Sequence, residues 1–341
     1  MKKTGLTIAV VGATGAVGKE MLDVLEQRHF PFSELRLFAS PRSAGRELTC
    51  AGRSWKCQTL EKSSFKDVDF AFFDASDEIS REWVPVARAS GAIVIDNSAT
   101  FRMNSEVPLV VPEVNGEKLR SLSEKGALVS GPNCTTAQLV VALKPLHDRY
   151  GLKRVVVSTY QSVSGAGAAA VEELRTQTGE VLAGRGARAV KLKHPIAFNL
   201  IPQIGSFLSA ADTGATSEEK KVIEETRKIL GLPNLAVACT AVRVPTIACH
   251  AESVNAEFEK TPDAEEARAL LAKFPGVEVI DEPKDFNYPM NLHATGRDPV
   301  YVGRIRRDPS CEKGLQFWVV ADNLRKGAAL NAIQIAESIL A

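Results

Sequence analysis

Two rhythms of apolar and polar residues run along this chain, and they change near its middle. Residues 6–11 (LTIAVV) form a short, mostly apolar run, the pattern of a parallel strand buried on both faces. Residues 16–27 then place Val17, Met21, Leu22 and Leu25 at helical spacing. Further apolar runs at 35–39, 68–73, 92–95 and 109–111 predict strands, and 79–89 and 116–123 predict helices between them. Such alternation predicts an α/β domain of Rossmann type, an open, doubly wound, mostly parallel sheet covered by helices on both faces. Beyond residue 150 the strand-like segments are 154–160, 236–244, 253–258, 300–305 and 315–321, several of them alternating in polarity. Amphipathic helices are expected at 217–230 and 264–273, so the second domain reads as α+β with a mixed or antiparallel sheet. A last helical pattern, 324–340, carries Leu324, Ala328, Ile333 and Ile335 and is expected to return to the first domain.

Composition narrows the function classes. With 45% hydrophobic and 24% charged residues and a net charge of +1, the chain offers no basic face for nucleic acid or an anionic membrane. The opening "MKKTGLTIAVVGATG" has two lysines before an apolar run, but glycines interrupt that run early, so no export signal is expected. No stretch of 18 apolar residues suggests a membrane span. The six cysteines (Cys50, Cys57, Cys134, Cys239, Cys249 and Cys311) form no C-x-x-C pair and no zinc-like cluster with histidine. Free thiols in a reducing, cytoplasmic setting and no metal centre are therefore expected.

Chemistry enters at the first turn. "VVGATGAVGKE" (10–20) sets Gly12, Gly15 and Gly18 between a strand and a helix. Small residues there let the backbone approach a pyrophosphate at the helix N-terminus, although a tight turn without a ligand fits the same glycines. An NAD site ordinarily has an acid at the end of the second strand, to bind the ribose 2′-hydroxyl. In "LRLFASPRSAG" (35–45) no acid follows Leu35, and Ser40, Arg42 and Ser43 are at hand instead. A guanidinium suits a phosphate, so NADP is expected over NAD, unless Arg42 is only an exposed loop residue.

"GPNCTTAQ" (131–138) places Cys134 after a turn and ahead of an apolar helical pattern. A thiol there lies in the positive end of the helix dipole, which favours thiolate, whereas a small buried structural cysteine would fit the octapeptide too. A thiolate beside a nicotinamide site suggests acyl-phosphate chemistry. The sulfur displaces phosphate, and the resulting thioester is reduced where a carboxylate would resist. Such a reaction wants an acid or base. Of five histidines, His29 and His147 end helices and are expected at the surface, and His194 precedes Pro195 in a loop. His250 lies seven residues after Arg243, and Val254 and Phe258 share its strand parity. It is the best-placed acid or base, and a core histidine would look the same.

Five motifs occur in order: "GATGAVG" (12–18), "GPNCTT" (131–136), "TYQSVSGAG" (159–167), "VRVP" (242–245) ahead of His250, and "ADNLRKGAA" (321–329). Together they resemble the aspartate-β-semialdehyde dehydrogenase family over nearly the whole chain. The resemblance implies an NADP-dependent enzyme of amino-acid biosynthesis that reduces β-aspartyl phosphate through a cysteine thioester. It implies that Cys134 is the nucleophile and His250 the acid/base, and that Gln161 and Arg243 hold the amino-acid end of the substrate. It implies further that Arg102, in "NSATFRM", and Lys221 contact phosphate, and that Glu218 lines the substrate site. Gly12, Thr14, Gly15, Ala16, Val17, Arg42, Ser43, Ser164, Gly165 and Asn323 would contact NADP. Residues 1–133, completed by a C-terminal helix at 322–341, would be the NADP-binding domain. Residues 134–321 would be the catalytic and dimerisation domain of a homodimer. One departure stands out: the family usually has glycine before and serine after the histidine, and here they are Cys249 and Ala251. Rival readings are another acyl-phosphate reductase, such as an N-acetylglutamyl-phosphate reductase, and a catalytically silent nucleotide-binding paralogue.

Overall fold

A computed structural model describes residues 5–120, 122, 125–209 and 214–341. The chain divides into two compact units, 1–133 with 328–341, and 134–327.

The first unit contains β1 (Leu6–Val11), α1 (Ala16–Gln27), β2 (Phe32–Phe38), β3 (Glu47–Cys50), β4 (Arg53–Gln58), β5 (Phe70–Phe73), α2 (Asp77–Ala89), β6 (Ile93–Asp96), α3 (Pro112–Asn115) and β7 (Leu128–Ser130). Its seven strands lie in the order β3-β4-β2-β1-β5-β6-β7, parallel except for β3. The chain winds outward from β1 to β2 and β4, then crosses back to β5. The β1/β5 boundary is therefore a topological switch point, where open α/β sheets bind ligands. Helix α2 starts where Ser76 accepts from the Ile79 N–H, with Asp77 and Glu78 in the positive first turn. The C-terminal helix (Leu330–Leu340) buries Leu330, Ile333 and Ile335 in one core with Met21 and Leu25 of α1 and Phe72 of β5. Asn331 Nδ2 ties that helix to the Val110 carbonyl at 2.9 Å.

Two expectations for this unit are corrected, and one element has no counterpart among them. Residues 109–111 are not a strand: Leu109 makes one isolated bridge to Ser130, and Pro112 at once starts α3. Residues 116–119 form a 3-10 turn, and the remainder of the expected 116–123 helix reaches residues 121 and 123, which lie outside the described ones. The β3–β4 hairpin was not foreseen, because it is an edge with mostly exposed residues and little apolar alternation. Its signal is Ala51-Gly52, a two-residue turn with φ of 51° and 69°, the type I′ geometry that suits hairpins.

The second unit contains α4 (Cys134–Tyr150), β8 (Leu152–Gln161), α5 (Ala168–Leu182), α6 (Ser217–Leu230), β9 (Ala236–Arg243), β10 (His250–Phe258), α7 (Ala264–Lys273), β11 (Val277–Val279), α8 (Asn291–Ala294), β12 (Val300–Arg307) and β13 (Gly314–Ala321). Its six-stranded mixed sheet runs β11-β12-β13-β10-β8-β9. Helix α4 is buried on nearly all sides because it packs on the sheet and also meets α6 and α7. A capping box starts α6: Thr216 accepts from the Glu219 N–H and Glu219 reaches back to the Thr216 N–H, while Gly231 ends the helix in the left-handed region. Helix α5 (AAAVEELRTQTGEVL) was missed, since its apolar residues form only a weak amphipathic stripe. The final segment begins as a single π turn (Arg325–Ala329) and becomes α9 (Leu330–Leu340) only afterwards. Among the described residues, no helix is long and apolar enough to cross a membrane.

Candidate active site

In the first unit the site is made of backbone. Gly12 has φ of +92°, and a Cβ there would lie 1.9 Å from the Asp74 carbonyl oxygen. A Cβ on Gly18 would lie 2.3 Å from the Gly12 carbonyl oxygen. The turn is pinned by the Gly12 and Ala13 N–H groups, which both donate to the Phe38 carbonyl at the end of β2. Gly15 precedes α1 without a side-chain cap, and the first turn holds no acid. The helix thus presents Thr14, Gly15, Ala16 and Val17 with its positive end uncompensated, the requirement for a bound pyrophosphate.

Directly after β2, Pro41–Ser43 form a short turn with Arg42 exposed and Ser43 half-buried. No acid ends β2, which closes on Leu37 and Phe38. Farther along the sheet, burial raises Asp74 to about 6 against its hydrogen bond with Asn97. Asp96 is also raised by burial while it accepts from Ser80 and Ser98. Arg102 is buried beside them and donates to the Asn97 carbonyl. Asn97 also explains a glycine of the cysteine motif, because a Cβ on Gly131 would meet its Oδ1 at 2.3 Å.

In the second unit the site is made of side chains at strand ends. Strand register pairs Arg243 with Gln161, Gln161 with His250, and His250 with Ala321. The last residues of β9 and β8, the first of β10 and the end of β13 therefore stand in one row. Gln161 is buried; its Oε1 accepts from Thr159 at 3.0 Å and its Nε2 donates to Glu218 at 3.2 Å. Glu218 lies 3.5 Å from Lys221, whose side chain is 37% exposed and can still turn to an incoming anion. Arg243 is buried and donates from Nη1 to the Ser162 carbonyl at 2.6 Å.

His250 is fully buried at the centre of the row. Its Nδ1 accepts from the Ser162 N–H at 3.1 Å, with Ser162 Oγ at 3.2 Å. An accepting Nδ1 carries no proton, so the neutral ring holds its proton on Nε2. Among the described residues, Nε2 has no partner. Burial, with Arg243 second, lowers the ring's proton affinity to about 3. Gly165 lies over this ring: a Cβ there would be 3.2 Å from Nε2 and 3.3 Å from Arg243 Nη1. Ser164 Oγ and Asn323 hydrogen-bond each other at 3.0–3.1 Å, and Ser162 joins them.

Cys134 is the first residue of α4, half-buried, with no acid in the helix's first turn. Its negative form and the Arg243 guanidinium are close enough to influence each other. Of the other thiols, burial raises Cys50 to about 11 and Cys249 to about 12, and pushes Cys57 and Cys239 upward. Gly327 of the π turn lies against Cys134, since a Cβ there would lie 2.7 Å from Cys134 Cβ and 3.1 Å from its Cα.

Thus Cys134, Gln161, Ser164, Gly165, Glu218, Lys221, Arg243, His250 and Asn323 fall in the second unit. Gly12, Thr14, Gly15, Ala16, Val17, Arg42, Ser43 and Arg102 fall in the first. Two residues without an expected role emerge. Ser162 orients the histidine, and only its place next to Gln161 at a strand end could have marked it. Gly327 is legible in sequence only as one small residue among several. His147, expected at the surface, is half-buried, and its Nδ1 accepts from the Leu152 N–H at 3.1 Å where α4 ends.

Comparison with known proteins fits this geometry. Residues 7–122 match the semialdehyde dehydrogenase NAD binding domain, and residues 143–326 match the semialdehyde dehydrogenase dimerisation domain. The aspartate-semialdehyde dehydrogenase of Aquifex aeolicus is 51% identical over 98% of both chains. That of Bacillus subtilis is 46% identical, covering 98% of this chain and 97% of its own. The crystal structure of aspartate semialdehyde dehydrogenase II from Vibrio cholerae, complexed with ASA, superposes with a TM-score of 0.93 at 43% identity over 98% of both chains. This chain belongs to the aspartate-semialdehyde dehydrogenase family.

Membership brings a nicotinamide-nucleotide-binding domain to the residues that contain the glycine turn. It also gives the Cys249 departure a physical meaning. Cys249 has φ of +66°, in the left-handed region where glycine is at ease and cysteine is strained. The strain is held by Asn291, whose Nδ2 donates to the Ala248 and Cys249 carbonyls at 3.1 and 3.2 Å, and by Thr295 Oγ1 at 3.4 Å from the sulfur.

Proposed function

We propose that this protein is an NADP-dependent aspartate-semialdehyde dehydrogenase that converts β-aspartyl phosphate to aspartate semialdehyde and phosphate in the cytoplasm. The product would feed lysine, threonine and methionine synthesis. The observation that carries the reading is the strand-end row Arg243–Gln161–His250 beside a cysteine that begins a helix. Cys134 is the nucleophile: the helix dipole and Arg243 favour its thiolate, which attacks the acyl carbon and releases phosphate, leaving a thioester. Arg243 and Gln161 hold the carboxylate and amino end, because a fork of donors fixes orientation as well as charge. Glu218 holds Gln161 in place, and Lys221 and Arg102 receive the phosphate.

His250 acts through Nε2. With Ser162 N–H donating to Nδ1, the ring proton sits on Nε2, which donates to the oxygen on which charge develops. The nicotinamide, when bound, supplies the hydride. The residues present fit such a cofactor: the glycine turn with its open helix end takes the pyrophosphate, and Arg42 with Ser43 suits a 2′-phosphate. Ser164, Gly165 and Asn323 would line its reactive end. The protein works as a homodimer, the state that its dimerisation domain supports. The relatives named above carry this activity's name, which disfavours the N-acetylglutamyl rival and a silent paralogue.

The test is NADPH formation from aspartate semialdehyde and phosphate. Absence of turnover, or equal use of NAD, would overturn substrate or cofactor respectively. Mixing the enzyme with β-aspartyl phosphate alone should add one acyl group to Cys134, seen by intact-mass spectrometry and lost in Cys134→Ser.

A further inference from the structure

Two more polar side chains lie one layer beneath the nucleophile and its histidine. Gln138 is 1% exposed and Glu252 is 0% exposed. Gln138 follows Cys134 by four residues on α4, so it shares the helix face. Glu252 follows His250 by two residues on β10, so it shares the strand face. Four helical residues rise about 6 Å, and two strand residues rise roughly 6.6 Å. Helix α4 packs on β10, Cys134 and His250 each lie close enough to Arg243 to feel its charge, and Gln138 lies close enough to act on the Glu252 carboxyl.

Among the described residues, neither oxygen of Glu252 and neither polar atom of Gln138 has a hydrogen bond of normal geometry. A carboxylate buried so completely without a cation is strongly disfavoured, and burial raises Glu252 well above the usual carboxyl range, with Gln138 as the group acting the other way. Cys239 on β9, itself raised by burial, lies close enough to feel the Glu252 charge, and His250 is two residues away on the same strand. The residues paired with Glu252 across the sheet, Thr159 and Val319, do not ionise. A carboxylic acid and a primary amide are complementary: the acid O–H donates to the amide carbonyl, and the amide N–H donates to the acid carbonyl. That exchange uses the four atoms left over.

We propose that the Glu252 carboxylic acid and the Gln138 amide pair reciprocally, fixing α4 on β10 and so setting the separation of Cys134 and His250. Glu252 is then a positioning residue. The inference rests on Cys134 and His250 being the reacting pair proposed above. Its test compares Glu252→Gln, Glu252→Leu and Gln138→Leu. Glu252→Gln keeps a reciprocal pair between two amides, and its kcat should stay within about twofold of the parent. Either leucine variant should lower kcat about 10- to 100-fold with KM nearly unchanged, the effect of a small misplacement of reacting groups. The double leucine variant should lose no more than one alone. Full kcat per folded molecule in Glu252→Leu, or an equal loss in Glu252→Gln, would overturn the proposal. Should the leucine variants fail to fold, the infrared difference between the parent and Glu252→Gln decides. A protonated-carboxyl band near neutral pH supports the pair, and its absence overturns it. A parent that turns over no aldehyde yet shows that band would count against the functional reading alone.

Discussion

The candidate residues of the first unit and those of the second are built on opposite principles. The turn after β1 works by leaving side chains out: at Gly12 and Gly18 any Cβ would collide with a carbonyl, and the positive helix end is exposed because nothing caps it. The row on β9, β8 and β10 crowds side chains in. Arg243, Gln161 and His250 are all buried and are held by bonds to Ser162, Thr159 and Glu218. A backbone site is vulnerable to any added atom and indifferent to chemical type. A side-chain site is vulnerable to lost partners, because each buried polar group left unpaired is destabilising.

Four substitutions or conditions test this contrast, in falling order of effect. Gly12→Ala adds one methyl group at φ of +92° against the Asp74 carbonyl. It should destabilise the first unit by about 3 kcal/mol or more and abolish nucleotide binding. Urea unfolding with nucleotide titration reads both, and near-normal binding would remove the basis for a backbone site. Arg243→Lys keeps the charge but loses the fork that serves the Ser162 carbonyl and a substrate carboxylate together. Its kcat/KM should fall about 100-fold with stability little changed, and retained activity would make Arg243 structural only.

The third test is pH. His250 binds a proton at about 3 when folded, against an ordinary value of 6.5. Below pH 6.5 the unfolded chain takes up a proton that the folded chain refuses. Stability therefore falls as pH drops from 6.5 toward 3, by at most about 1.4 kcal/mol per pH unit from this group. Urea midpoints across that window should show a shallower fall in His250→Asn, and identical slopes would mean that the ring is not held neutral. The smallest effect is expected at the departure beside it. Cys249→Gly removes a left-handed cysteine and should stabilise the protein by about 1 kcal/mol or less, because glycine's extra freedom when unfolded offsets part of the relief. A clear loss in thermal unfolding would show that the sulfur's contact with Thr295 outweighs the strain.

How legible the site was depends on the range of the signal. The glycine turn, the absence of an acid after β2 and the cysteine ahead of a helix are local patterns, and each could be read from a dozen neighbouring residues. Helices α6 and α7 carry strong amphipathic stripes and capping residues of their own, and they fall where expected. By contrast the β3–β4 hairpin and α5 have little apolar periodicity, and 109–111 looks like a strand until Pro112 interrupts it. The candidate histidine could not be told from a core histidine by sequence, since β10 carries apolar residues at the same parity.

By itself, then, the sequence determined the two rhythms of the chain, the glycine-lined turn after β1, the cysteine that starts a helix and, through its ordered motifs, the family. Those properties depend on residue type and short spacing. Only the tertiary structure decided that residues 161, 243 and 250 stand in one row, that Ser162 sets the histidine's tautomer, that Cys249 occupies a left-handed backbone, and that Gln138 and Glu252 lie together. These features depend on strand register and helix packing between residues far apart in the chain. Local pattern does not encode such distances, because burial makes different side chains interchangeable in hydropathy until their partners are known.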